Sequence, residues 1–367
     1  MAFIIKITKS ILVYICFVIL VVSCSKPEEI NQKRATQLDS LFPIRQNGKF
    51  GYIDNTGKII IQPQFDVAFH FCEGLAKIRT GRVLKTGKDG YIDITGKIVI
   101  KPQFDWAGDF SEGLANVNAG CKWSGTSLIG GKWGYINKTG EIIIKPSFDS
   151  VGSFSDGLAL VIVKKSEEYR DLYTFPGKRG YIDKTGKMVI EPEFDDAGNF
   201  SEGLAAVKIN GKWGYIDKKG EFVISPQFND AYRFSEGLAP VSINKLYGYI
   251  DKTGKIVIQP QFDGAVDFCE GLTAIVIDAK AGFINKIGTI VIKPQFESQI
   301  LHHYHFSEGL VNVAIGDKWG YIDKTGKMVI ELKFDGAGSF SGGLASVTID
   351  GKSGYINKSG EYIWKEK

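Results

Sequence analysis

The stretch from Gly203 to Glu236 reads GLAAVKINGKWGYIDKKGEFVISPQFNDAYRFSE, and variants of this 34-residue phrase recur from residue 40 to the C-terminus. Glycines at positions 203, 211, 214 and 220, followed by Pro226, leave no uninterrupted window long enough for a packed helix. Apolar residues alternate instead, which is typical of strands. The phrase therefore predicts a unit made of strands and turns.

We expect each unit to be an antiparallel meander of three strands, a, b and c, which in the quoted phrase cover residues 204–209, 213–216 and 222–224. Asn210-Gly211 tolerates positive φ at both central positions and predicts a type I′ turn between a and b. Asp217 to Gly220 predicts a type I turn with a bulge between b and c. Pro226 offers no N–H, so strand c should stop there, with Phe228 and Phe234 anchoring the return segment.

Nine such units can be counted. The glycine at the start of each core recurs with spacings of 39, 44, 46, 34, 34, 34, 38 and 34 residues, at Gly51, Gly90, Gly134, Gly180, Gly214, Gly248, Gly282, Gly320 and Gly354. The many turns explain the 44 glycines among 367 residues. The predicted fold class is all-β.

Trp133, Trp213 and Trp319 each begin the motif Trp-Gly-Tyr-Ile, with PQFD-like and FSEGLA-like segments downstream. Over nearly all of residues 41–365 the chain resembles the WG-repeat (KWG) family of bacterial proteins. The resemblance implies a β-repeat protein with surface or interaction roles and transfers no catalytic residue. Other residues occupy the Trp position in six units, which suggests a partly exposed slot: Phe50, Asp89, Arg179, Tyr247, Ala281 and Ser353.

Two topologies are compatible with nine units. Repeat units that pack only on their neighbours can form an open array of any length. A closed, propeller-like ring is the alternative, but propellers usually have four to eight blades and often build one blade from both termini. Both terminal units here carry their own strands, so an open array is the prediction.

The N-terminal region differs from the repeats. Residues 1–23 contain Lys6, Lys9 and an apolar run from Ile11 to Val22, which predicts an export signal. The sequence that ends at Cys24 resembles the lipobox of bacterial lipoproteins, which implies lipidation of Cys24. Residues 24–40 are polar and predict a flexible tether ahead of the repeat domain, residues 41–367. The expected location is the cell outer membrane, with the domain periplasmic or surface-exposed.

No catalytic, metal or cofactor site is predicted. One acidic residue per unit after the PxF segment, such as Asp195, and one before the glycine, such as Glu202, indicate turns rather than a unique acid–base pair. His303 and His305 share a strand face but lack an evident third ligand. The chain without residues 1–23 has 43 basic and 41 acidic residues, which does not favour nucleic-acid binding.

Three cysteines remain after Cys24. Cys72 and Cys269 stand at the Ser position of the FSEG segment, which predicts small, buried packing, and Cys121 lies in a longer connection. In an open array Cys72 and Cys269 would be too far apart to form a disulfide.

Three consecutive units carry insertions of 5, 10 and 12 residues between strands a and b, relative to the 34-residue period. Insertions at one place in successive repeats map to one rim, where repeat proteins often bind. Aromatic and Arg side chains are typical interface anchors. The predicted ligand-binding residues are Trp123, Tyr169, Arg170, Tyr173 and Phe175. We therefore expect a non-enzymatic binding or scaffold protein whose partner is an unidentified envelope protein, or alternatively a glycan.

Overall fold

The computed structural model describes residues 41–81, 87–124, 127–163, 177–298, 301 and 304–366. Their strands form nine separate antiparallel sheets, each of three or four strands. The predicted all-β class and the count of nine units are confirmed. We call each sheet a blade and number the blades from the N-terminus.

The strand bounds follow, blade by blade. Blades 1 to 4 contain β1 (Phe42–Gln46), β2 (Lys49–Ile53) and β3 (Ile59–Phe65); β4 (Val67–Cys72), β5 (Leu75–Thr80), β6 (Lys88–Asp93) and β7 (Ile98–Phe104); β8 (Trp106–Ala107), β9 (Leu114–Ser124), β10 (Ser127–Asn137) and β11 (Ile142–Phe148); and β12 (Ser150–Val151), β13 (Leu158–Val163), β14 (Lys178–Asp183) and β15 (Met188–Phe194).

Blades 5 to 9 contain β16 (Asp196–Ala197), β17 (Ala205–Ile209), β18 (Lys212–Ile216) and β19 (Phe222–Phe228); β20 (Asp230–Ala231), β21 (Leu238–Ile243), β22 (Leu246–Asp251) and β23 (Ile256–Phe262); β24 (Gly264–Ala265), β25 (Leu272–Ile277), β26 (Lys280–Asn285) and β27 (Ile290–Glu297); β28 (Leu310–Ile315), β29 (Lys318–Asp323) and β30 (Met328–Phe334); and β31 (Gly336–Ala337), β32 (Ala345–Ile349), β33 (Lys352–Ile356) and β34 (Tyr362–Lys365).

Seven blades contain a fourth strand, d, that the three-strand prediction missed. The return segment after strand c joins the next blade, where it pairs with strand a, so the strand order is d-a-b-c. In blade 5, for example, Asp196 lies opposite Lys208, and the N–H of Gly198 donates to the carbonyl of Ala206 at 2.9 Å. This pairing satisfies backbone groups that a packed return segment would otherwise bury without partners.

Strand c also runs past the proline at which it was expected to stop. β19 continues through Pro226 to Phe228, which lies opposite Trp213 after a register shift. Strand c is an edge strand, so the missing N–H of proline leaves no ladder bond unmade. A Cβ on Gly214 would lie 2.5 Å from the carbonyl oxygen of Ile224. The glycine after the Trp position is therefore required because strand c crosses strand b at close range.

Both predicted turns are confirmed. Asn210 and Gly211 have φ values of 50° and 78°, as a type I′ turn requires. The Asp217 carboxylate accepts hydrogen bonds from the N–H groups of Lys219 at 2.9 Å and Glu221 at 3.0 Å. Gly220 follows with φ 88° in the left-handed region.

A recurring aromatic pair joins neighbouring blades at every junction. In most pairs a tyrosine on strand b meets a phenylalanine that lies between strands d and a of the next blade, as Tyr215 meets Phe234 with ring centroids 4.9 Å apart. Across the nine junctions these centroid distances lie between 4.8 and 5.3 Å. The Tyr215 hydroxyl also donates to the carbonyl of Tyr232 in the next blade at 2.8 Å.

The repeated acidic residues bridge blades in addition to occupying turns. At the rim that carries the b–c turns, the Glu202 carboxylate accepts from the N–H of Gly237 in the next blade at 3.1 Å and pairs with Lys252 at 3.0 Å. At the opposite rim, which carries the a–b turns, Asp195 pairs with Lys178 of blade 4 and accepts from the N–H of Asn210 in blade 5 at 2.9 Å. We call these the b–c rim and the a–b rim.

The blades close into a nine-bladed propeller, so the predicted open array is wrong and the ring alternative is confirmed. Phe42 of blade 1 packs on Tyr355 of blade 9 with ring centroids 5.3 Å apart, and the Tyr355 hydroxyl donates to the carbonyl of Pro43 at 3.0 Å. Ile53 and Leu344 are buried in the same cluster. Blade 1 comes entirely from the N-terminal part of the repeats and blade 9 from the C-terminal part, so closure requires no shared blade.

Candidate functional site

The three insertions leave the a–b rim from three consecutive blades. They connect β5 to β6, β9 to β10 and β13 to β14, and residues 82–86, 125–126 and 164–176 lie outside the described residues. The insertion in blade 3 lengthens the hairpin itself, because β9 and β10 each run for 11 residues and pair nearly to their ends. The predicted placement of the insertions on one rim is confirmed at these strand ends.

The predicted ligand-binding residues stay predictions. Tyr169, Arg170, Tyr173 and Phe175 lie outside the described residues. The backbone of Trp123 pairs with Leu128, but its side chain is not among those described.

A cluster of charged and aromatic side chains lies at the same rim, between blades 2 and 3. Lys77 and Arg79 project from the same face of β5, and Asp89 lies directly opposite Arg79 on β6. Phe69 on β4 and Trp106 on β8 complete the group. We call these five residues the blade 2/3 site.

An ion pair organises the site. Nη1 of Arg79 lies 2.9 Å from Oδ1 of Asp89, and Nη2 of Arg79 donates to the carbonyl of Asp105 at 2.8 Å. The second oxygen of Asp89 accepts from the N–H of Ala107 at 2.8 Å. Burial raises the pKa of the Asp89 carboxyl, and the Arg79 guanidinium and the Ala107 N–H offset part of that rise. These bonds tie strand d of blade 3 to the a–b hairpin of blade 2.

The second cation, Lys77, lies against the two aromatic rings. Its Nζ donates to the carbonyl of Ala107 at 2.9 Å and lies 4.1 Å from the ring centroid of Phe69 and 5.9 Å from that of Trp106. Cζ of Arg79 lies 5.3 Å from the Trp106 ring. Such distances allow cation–π attraction to each ring. Both rings keep exposed surface, 37% for Phe69 and 43% for Trp106.

The site carries an excess of positive charge. Lys77 and Arg79 are 9% and 6% exposed, and Asp89, at 1%, is the one acidic side chain among the site's five residues. Nε of Arg79 is buried and has no hydrogen-bond partner among the described residues. Buried charges are normally paired, so this arrangement is suited to holding an anionic group.

Sequence reasoning missed this site although its signal was present. Asp89 departs from the Trp position, and Arg79 lies directly opposite it across the hairpin. In blade 5 the corresponding cross-strand pair is Lys208 and Trp213. A carboxylate at the Trp position opposite an arginine is therefore readable from the a–b register alone.

The remaining candidate residues have structural roles or lie outside the described chain. Sγ of Cys269 donates to the carbonyl of Phe306 at 3.0 Å, as Ser235 donates to Phe268 at 2.7 Å, so this cysteine replaces a serine hydrogen bond rather than filling an apolar gap. His303 is outside the described residues, and His305 is half-buried.

The described residues contain neither a metal-binding cluster nor a membrane-spanning helix. Among these residues no group of three or more His, Cys, Asp or Glu side chains could hold a metal ion. None of their helices is long and apolar enough to cross a membrane. Cys24 and the export segment lie outside the described residues.

Comparison with known proteins gives a family match and distant likenesses of fold. The family described as "WG containing repeat" matches eight segments, at residues 50–82, 90–123, 133–165, 180–213, 213–247, 247–280, 282–319 and 319–352. No curated protein matches. The solved structure of Kluyveromyces lactis Hsv2p is similar at 12% identity, with a TM-score of 0.36, over 55% of this chain and 71% of that one.

Two further solved structures, a protease and a hydrolase, are also similar at low identity. The tricorn protease matches at 13% identity with a TM-score of 0.26, over 88% of this chain and 39% of that one. A puromycin hydrolase variant matches at 10% identity with a TM-score of 0.36, over 77% of this chain and 56% of that one. At such identities and scores these likenesses say nothing about activity.

Proposed function

Since the chain belongs to the family of WG-repeat proteins, we propose that it is a non-enzymatic binding protein of the bacterial cell envelope. It is held at the outer membrane by a lipid on Cys24 and binds a protein partner through the a–b rim of blades 2 to 4. The family and the propeller fold fit a repeat protein without catalytic activity.

One observation carries the assignment of the binding surface. The longer a–b connections leave three adjacent blades on the same rim, whereas the a–b connection of blade 5 is the two-residue turn Asn210-Gly211. A rigid ring that presents neighbouring loops on one rim is a common arrangement for recognition. Trp123, Tyr169, Tyr173 and Phe175 supply apolar anchors, and Arg170 supplies a polar contact.

The anchor follows from the sequence of the N-terminal region. The lipobox resemblance ends at Cys24, and the polar tether after it has no apolar segment of its own to bind a membrane. Cys24→Ala should therefore release the protein from membranes. Sedimentation of the variant with salt-washed membranes would contradict lipid anchoring.

Loop trimming tests the binding surface. Each of the three insertions is replaced by Asn-Gly, the turn already present in blade 5, so folding should be preserved. Partner capture from an envelope extract should be lost in the triple-trimmed protein. The matched control changes Asn210-Gly211 to Gly-Asp and should keep the partner. Equal capture by the trimmed and untrimmed proteins would refute this surface.

A second candidate function is glycan binding. It is favoured by Phe69 and Trp106, whose exposed rings lie on the same rim as the insertions. Aromatic faces of this kind provide flat apolar platforms beside polar groups.

A further inference from the structure

We propose that the blade 2/3 site binds an acidic saccharide, with the sugar ring stacked on Trp106 and its carboxylate held by Lys77 and Arg79. The inference rests on the glycan-binding candidate function and names the ligand class and the residues that recognise it. It concerns side chains of strands β4, β5 and β8 rather than the inserted loops.

The aromatic half of the site is exposed in an unusual position. Trp106 stands at the first position of strand d, where blades 4, 5 and 9 have Ser150, Asp196 and Gly336. A large apolar ring that is 43% exposed at a position where a small or polar residue suffices is not needed for packing. Its flat face can cover the C–H face of a pyranose ring, and Phe69 extends the same surface.

The charged half of the site contains two cations and one carboxylate. Asp89 pairs with Arg79 at 2.9 Å, and the charge of Lys77 also acts on Asp89, so two cations share one carboxylate. Nε of Arg79 is buried and donates to no acceptor among the described residues. A ligand carboxylate would supply a second negative charge for these two cations, and hydrogen bonds between charged groups are the stronger kind.

The geometry favours a saccharide over a peptide. An extended peptide binds a sheet by adding a strand to a free edge. The free edge beside Trp106 is β8, which has only two residues in its ladder with β9, at Trp106 and Ala107. It is too short to pair with a peptide strand. Aromatic faces with a cation 4.1 and 5.9 Å from their centroids suit a ring that carries a carboxylate.

The experiment compares two probes on the full-length protein in detergent. An oligogalacturonide is titrated beside the same oligosaccharide with its carboxylates reduced to alcohols. We expect the acidic form to bind at least about tenfold more tightly. Trp106→Ala should weaken its binding about tenfold or more, and Lys77→Gln should abolish the preference for the acidic form.

Tyr232→Ala is the matched control. Tyr232 is 47% exposed directly after strand d of blade 6, but Pro240 and Ser242 occupy the positions of Lys77 and Arg79 there. Its truncation should leave saccharide binding unchanged. Equal binding of the two probes, no binding of either, or an equal loss in Tyr232→Ala would each overturn the inference.

The two proposals fail separately. If no saccharide binds but a protein partner is captured in a loop-dependent manner, the saccharide assignment falls and the proposed protein-binding function stands. If the site binds an acidic peptide but no saccharide, the saccharide assignment likewise falls and the protein-binding function stands. Saccharide binding that depends on Trp106, without any loop-dependent protein partner, supports the inference and rejects the protein-binding function.

Discussion

The junction between blades 9 and 1 differs from the junction between blades 5 and 6. In the latter, Glu202 accepts from the N–H of Gly237 and pairs with Lys252. At the former, which we call the seam, Gly342 stands at the position of Glu202 and Asn55 at that of Lys252. Both partners of the b–c rim bridge are therefore replaced together at the one junction that the chain does not cross.

The aromatic contact is what the two junctions share. Tyr215 is fully buried against Phe234, and Tyr355 is 7% exposed against Phe42. Between blades 5 and 6 the chain itself passes from strand c to strand d through Asn229, whereas the seam has no covalent link. Closure of the ring therefore depends on apolar packing and does not use the Glu–Lys bridges that join internal blades at the b–c rim.

The largest effect should come from removing the shared contact. Tyr355→Ala and Tyr215→Ala should each lower the free energy of unfolding by about 3–5 kcal/mol, as truncations of buried aromatic residues do. Only Tyr355→Ala should also open the ring, because no chain crosses the seam. Small-angle X-ray scattering should show a larger radius of gyration for Tyr355→Ala alone. Identical radii for the two variants would mean that the seam is no weaker than an internal junction.

The second-largest effect should come from substituting the glycine after the Trp position, and its size should differ between blades 5 and 9. A Cβ at Gly214 would meet the backbone oxygen of Ile224 at 2.5 Å, whereas at Gly354 its nearest neighbour is Cε1 of the Tyr362 side chain at 2.7 Å. A side chain can rotate away, but a paired backbone cannot. Gly214→Ala should therefore destabilise by about 1–3 kcal/mol and Gly354→Ala by less. Urea unfolding of the two variants measures the difference, and a larger loss for Gly354→Ala would contradict the explanation.

Acid should make internal junctions resemble the seam. Burial raises the pKa values of Glu73, Glu236 and Glu270, but hydrogen bonds from a lysine and from backbone N–H groups outweigh it, so each pKa lies below the ordinary 4.5. As the pH falls below 4.5, the unfolded chain therefore binds protons more readily than the folded chain does. The stability that these bridges contribute to the folded protein is lost as a result.

Amide hydrogen exchange can measure this loss. Protection at Gly271 and Gly309, whose N–H groups donate to two of these carboxylates, should fall below pH 4.5 relative to that at Phe42 on the seam. Intrinsic exchange rates must be corrected for pH. Equal changes at all three amides would show that the glutamate bridges of the b–c rim add no stability to the internal junctions.

The smallest effect should come from rebuilding the missing bridge. Gly342 has φ 58°, close to the 55° of Glu202, so glutamate fits its backbone conformation. Gly342→Glu combined with Asn55→Lys should show a coupling energy of about 0.2–1 kcal/mol in a double-mutant cycle, typical of exposed ion pairs. The coupling should shrink at high salt. A coupling of zero at low salt would place the two positions out of contact.

The parts of the fold set by local sequence were predictable. Asn210-Gly211 and Asp217 to Gly220 define their turns through φ preferences and short side-chain bonds, and these govern the a–b–c meander. The prediction that strand c ends at Pro226 was wrong, because a proline stops a strand only where its N–H is needed for the ladder. Whether it is needed depends on which strand lies at the edge of the sheet.

Closure and the site required contacts that a single unit does not contain. The small rotation from one repeat to the next decides whether an array closes into a ring or stays open, and that rotation depends on contacts between neighbouring units rather than within one unit. The blade 2/3 site combines Lys77 and Arg79 of one blade with Trp106 of the next. Its charged pair could have been found from the hairpin register, but its aromatic surface depends on how the two blades pack.

The tyrosine hydroxyls imply an order of folding. Tyr215 bonds to a residue 17 positions ahead in the chain, and Tyr355 to one 312 positions behind. Contacts between near neighbours in sequence form quickly, and distant ones must wait for the intervening chain. During vectorial synthesis, each blade can dock on its predecessor as soon as it emerges, while the pairing of Phe42 with Tyr355 must come last. A partly synthesised chain would therefore expose the face of blade 1 that the closed ring buries.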